Sequence, residues 1–125
     1  MLKRQHPYQH TDSCGGSTFD NHWYSDAPWE GDCLTMIERQ TTGYHSVELG
    51  WKKLLSYNTC AFSARLIDIP ITDGIPLWWR NVGDDDMWDL TREGGKRGWV
   101  RDGKVAFGGV TECDEGHVEW KVHRN

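Results

Sequence analysis

Three groups of residues in this chain have the types and spacing to do chemistry. The first is Trp78-Trp79-Arg80, followed closely by Asp84-Asp85-Asp86 and Trp88. Indole has a large apolar body and a single edge donor, and it serves cores and docking surfaces alike. In an extended segment adjacent side chains face opposite ways, so either one of the paired indoles enters the core while the other meets a partner, or both are buried, one on each face of a covered segment. Carboxylates beside exposed indoles would draw a basic surface in from a distance. The structural alternative is a helix N-terminus whose dipole favours the three aspartates, with Arg80 and Arg92 as their counter-charges. The run lacks the alternating ligands and central glycine of an EF-hand loop, so it is not read as a calcium site.

The second group is His6, His10 and Cys14, at intervals of four, with His22 and Cys33 further on. Imidazole and thiolate are the ligands zinc prefers. Pro7 and Gly15-Gly16 oppose the helix that would align them, and no CxxC knuckle fixes a geometry. No metal and no cofactor is therefore expected, and His6, His10 and Cys14 are the residues a zinc-stabilised module would use. The third group is Asp12-Ser13-Cys14-Gly15-Gly16, which has the look of a nucleophile loop because paired glycines can present N–H groups to an oxyanion. No G-x-S-x-G elbow, H-E-x-x-H pair or P-loop accompanies it. A small enzyme or ligand-binding domain built on the Cys, His and Asp of this arm is thus the alternative to a recognition protein.

These groups must be held by elements. Residues 1–26 are polar and read as an irregular arm of a single domain, with a short strand near residues 17–19. A helix is expected over residues 27–40, capped by Asp26 and carrying Trp29, Cys33, Met36 and Ile37 on one face. A second is expected from Ser46 to Asn58, where Val47, Trp51, Leu54 and Leu55 make a stripe. Residues 60–71 read as a strand covered on both faces. Asp84 or Asp85 can start a short helix through Met87, Trp88 and Leu90 that ends at Gly94.

The last thirty residues carry the strongest sheet signals. Asp102-Gly103 is a hairpin turn between residues 97–101 and 104–113, with a bulge expected at Gly108-Gly109. Residues 117–123 alternate cleanly, with Val118, Trp120 and Val122 on one face and His117, Glu119, Lys121 and His123 on the other. The expected fold is α+β: a small antiparallel sheet, made of this three-stranded meander and strand 60–71, packed with one or two helices.

Composition bounds the function. A chain of 125 residues with 26% charged and 37% hydrophobic residues can bury one globular core. The net charge of −5 argues against phosphate-backbone binding, so nucleic acid is an unfavoured partner. No apolar stretch reaches the length of a membrane span or a signal segment, which reads as a soluble, cytoplasmic protein. Four cysteines far apart, with no CxxC pair, read as reduced and buried thiols. Eight tryptophans suit a small accessory protein, inhibitor- or immunity-like, that binds a protein partner through a Trp-rich and acidic surface. The residues assigned to that surface are Trp78, Trp79, Arg80, Asp84, Asp85, Asp86 and Trp88.

Overall fold

Alternation along the last strand sets the sheet. Val118, Trp120 and Val122 are buried, while His117, Glu119, Lys121 and His123 lie on the other, wetter face. The computed structural model describes residues 14–39, 43–69, 71–72, 74–76, 78–113 and 116–125. In chain order it contains β1 (Cys14–Ser17), β2 (Asp20–Asn21), α1 (Glu30–Glu38), β3 (Tyr44–Val47), β4 (Lys52–Tyr57) and β5 (Cys60–Leu66). There follow β6 (Ile71–Thr72), β7 (Ile75–Pro76), β8 (Arg80–Gly83), α2 (Asp84–Gly95), β9 (Phe107–Cys113) and β10 (Gly116–Arg124). The main sheet runs β1-β9-β10-β5-β4, with β2 also paired to β9, and its pairings are antiparallel. The architecture is α+β as expected, with more strands than a small sheet. β3 pairs with β8, and β6 with β7, as two separate ribbons.

One face of the sheet is the core. Trp120 stacks on Phe62 at 5.7 Å between centroids and meets Phe107 and Phe19 edge-on. Its indole N–H donates to Ser17 Oγ, so the large plate is buried with its one polar atom satisfied. Met36 and Ile37 of α1 and Met87, Trp88 and Leu90 of α2 cover this layer. The helix expected over residues 27–40 is α1, although its N-cap is Trp29 and carries no side-chain cap bond. Asp32 of α1 accepts from the hydroxyl and the backbone N–H of Thr59, tying the helix to the β4–β5 turn. These bonds hold the Asp32 carboxyl below the usual range, against the upward push of partial burial.

Three expectations are corrected. The helix over residues 46–58 is instead the end of β3 and the whole of β4. A bulge between Lys53 and Leu55 turns Leu54 and Leu55 to the same partly buried side, and that succession imitates a helical stripe. Asn58 is left-handed at φ 50°, but in a hairpin turn, not at a helix end. The meander loses its first strand, because residues 97–101 join the turn by a lone Arg101–Lys104 bridge. No bulge occurs at Gly108-Gly109; their register with Lys121 and Trp120 is unbroken. Glycine is needed there for close approach, since a Cβ on Gly109 would sit 1.9 Å from the Thr18 carbonyl oxygen.

The cysteines are not free thiols. Cys14 is bonded to Cys113, its register partner across β1 and β9, and Cys33 of α1 is bonded to Cys60 at the start of β5.

Candidate recognition surface

The β3–β8 ribbon builds the surface on which Trp78 and Trp79 stand. Val47 lies opposite Arg80, so continuing the ribbon past its last pair brings Trp79 and Trp78 alongside Glu48 and Leu49. The Glu48 carbonyl accepts from Leu66 N–H, which sets this corner against the end of β5 and the exposed Ile67. Trp78 is 57% exposed, Trp79 50% and Leu49 47%, which puts three large apolar side chains in water at one corner. Glu48, Leu49, Gly50 and Trp78 line a surface cavity of about 310 Å³. Neither indole enters the core, in contrast both to a split pair and to a pair buried on two faces.

The other residues assigned to this surface go inside. Arg80, Asp84, Asp85, Asp86 and Trp88 are all buried, so an acidic outer face at this position is corrected. Arg80 crosses so near Gly116 that a Cβ there would lie 2.6 Å from Nε, and its Nη1 donates to the Trp79 carbonyl. That bond anchors the backbone from which the exposed Trp79 projects. Asp84 and Asp86 organise the start of α2. Asp86 accepts from Gly83 N–H through one oxygen and from Cys14 N–H through the other, joining the helix N-terminus to β1. Asp84 meets His45 of β3 at 2.8 Å. The helix-terminus alternative thus describes these aspartates. Trp88 lies under the Arg92 guanidinium at 5.4 Å.

The metal and nucleophile groups fare differently. Cys14 is spent in a disulfide, so it is neither a zinc thiolate nor a nucleophile, and the zinc-stabilised reading loses its sulfur ligand. His6, His10, Asp12 and Ser13 lie outside the described residues. Among the described residues no three His, Cys, Asp or Glu side chains converge as a metal-binding group.

A Ser–His contact that sequence spacing does not reveal lies on the outer sheet face, where Ser63 Oγ is 2.7 Å from His123 Nε2. His123 Nδ1 donates to the Arg124 carbonyl, and in the neutral ring this leaves Nε2 to accept from the serine hydroxyl. Burial pushes the His123 pKa down. Ser63 is itself buried in a strand paired on both edges, which keeps its hydroxyl out of a substrate's reach. The pair braces the sheet. A second histidine, His117, is raised above its ordinary value by its hydrogen bond to Asp68 and by that carboxylate's charge.

A small disulfide-bonded α+β domain with an exposed aromatic corner is the class these observations define. The chain belongs to the Hce2 family, described as pathogen effector and proposed necrosis-inducing factor, whose match spans residues 13–113. That span contains all four cysteines and closes on Cys113. A search of curated proteins finds no match to this chain. The cytoplasmic reading is corrected, because two disulfides and membership of an effector family point to an extracellular, secreted protein. Among the described residues no helix is long and apolar enough to cross a membrane.

Proposed function

We propose that this protein is a secreted effector that recognises a host protein through the corner formed by Trp78, Trp79 and Leu49. The observation that carries the reading is the exposure of two adjacent indoles on a backbone pinned by the buried Arg80. Exposed large apolar groups cost solvation unless a partner covers them, and indoles at an interface centre commonly dominate its energy. A shallow cavity beside Trp78 gives a partner side chain a place to insert. Membership of an effector family supports a host protein as the target. The buried aspartates cannot touch a partner, so direct contact at this corner falls to the indoles, Leu49 and Glu48.

The test is comparative enrichment from host extracellular fluid with the wild type and a Trp78→Ala/Trp79→Ala variant, followed by binding kinetics with the recovered protein. Trp79→Ala alone is expected to weaken binding by about tenfold or more, chiefly through faster dissociation. The variant's melting temperature should stay near that of the wild type, because both indoles are outside the core. A folded double variant that binds as tightly as the wild type would show that this corner is not the recognition surface.

A further inference from the structure

The chain's own side chains already occupy most of its indoles. Trp23, Trp29, Trp51 and Trp88 each lie under a cation, Arg101, Lys104, Arg65 with Lys121, and Arg92 in turn, at 4.3 to 5.4 Å from the ring centroid. Trp99 and Trp120 pack against Phe107. Among the described residues Trp78 and Trp79 have neither a cation nor a ring over them, and they are the two most exposed tryptophans.

One carboxylate stands at the same corner. Glu48 is exposed and lines the cavity of about 310 Å³ together with Leu49 and Trp78. Among the described residues it takes part in no ion pair. The cations of the neighbouring strands are committed elsewhere. Lys52 Nζ donates to the Ser46 carbonyl, and Arg65 is held by Glu119 at 2.7 Å. Arg80 is buried, donates to the Trp79 carbonyl and has Asp68 as a neighbouring counter-charge.

The molecule builds the complete unit once. Arg65 lies 4.8 Å from the Trp51 centroid while its Nε and Nη2 bond the Glu119 carboxylate. The corner supplies the indole and the carboxylate of such a unit and lacks only the cation. We propose that the side chain this corner takes from its host partner is a basic one, best an arginine, with its stem along Leu49 and Trp78 and its charge at Glu48. The inference rests on the docking corner proposed above and names the chemistry of what docks there. A purely apolar anchor would strip water from Glu48 and return nothing for it. A guanidinium replaces that water with charge-assisted bonds and lays a flat face on the indole.

A capped Gly-Gly-Arg-Gly-Gly peptide tests this against counterparts carrying citrulline, which keeps the shape without the charge, and norleucine. Each would be titrated into the nitrogen-labelled full chain, with indole N–H signals assigned through single Trp→Phe variants. The arginine peptide is expected to shift Trp78, to leave Trp23, Trp29 and Trp51 in place, and to weaken as salt rises. Its affinity should exceed that of either neutral peptide by about tenfold, and Glu48→Gln should abolish the difference. No binding of the arginine peptide, equal binding of a neutral one, a shift centred on another indole, or a folded Glu48→Gln variant that keeps the preference would each overturn the proposal. Should that variant fail to fold, the citrulline comparison on the wild type still decides it. A host protein lost by Trp78→Ala/Trp79→Ala but bound normally by Glu48→Gln would overturn the arginine and leave the docking corner standing. A host protein bound normally by the double indole variant, while the arginine peptide still shifts Trp78 of the wild type, would remove the docking reading and leave the cation site.

Discussion

Trp120 is the residue on which most of the core's aromatic surface converges, packed between Phe62, Phe107 and Phe19 with 1% of its surface exposed. Trp120→Ala is expected to cost about 3–5 kcal/mol in denaturant melts, the usual loss for emptying a buried aromatic site. Its neighbour Lys121, on the other face, should cost within about 0.5 kcal/mol when truncated. Two histidines on that outer face respond to acid with opposite signs. Burial depresses the His123 pKa, so its contribution is present above the ordinary value of 6.5 and is lost as pH falls through the lowered value. The raised pKa of His117 makes its contribution full below the ordinary value and lost as pH rises through the raised one. Melts of His123→Gln should therefore lose less stability than the wild type between about pH 7 and pH 5, and His117→Gln should lose more. Equal slopes for all three proteins would refute the assignment.

At the scale of elements, legibility followed the clarity of the period. β10 alternates without interruption and is readable residue by residue, and the helical character of α2 is readable too, although its N-cap is Gly83 and its first-turn aspartates are buried. The stretch through Leu54-Leu55 is not readable in this way, because a bulge writes two apolar residues in succession and so resembles a helix. Trp78 and Trp79 could be singled out from sequence, but their exposure depends on the β3–β8 pairing, which joins segments more than thirty residues apart. The same pairing draws Arg80 and the aspartates inward, and no local spacing signals that. The cysteine bonds were hidden for a similar reason, since neither pair is close in sequence. Gly108-Gly109 stands out in the sequence as a bulge signal, but close approach of the Thr18 backbone is what requires glycine at 109. Gly109→Ala should destabilise by about 1–3 kcal/mol or more, because the Thr18 backbone must move to admit a methyl group. Gly16→Ala, in an edge strand with nothing near its added Cβ, should be close to neutral and serves as the control.

For the molecule as a whole, the four cysteines form nested loops, with Cys33–Cys60 closed inside Cys14–Cys113. Their sequence separations are 99 and 27 residues. In the chain-entropy account such closures restrict the unfolded chain by about 4.7 and about 3.5 kcal/mol respectively. The nesting also governs what a protease can do. Any single backbone cut between Cys14 and Cys113 leaves two pieces still joined by sulfur, and a cut between Cys33 and Cys60 leaves them joined twice. Limited proteolysis should therefore give one full-length band on a gel run without reductant and fragments only after reduction. Early release of fragments without reductant would mean that the outer bond is not formed. A clipped molecule whose ends stay tethered can keep presenting an intact surface, so the working lifetime of this protein among proteases is not set by its first cut.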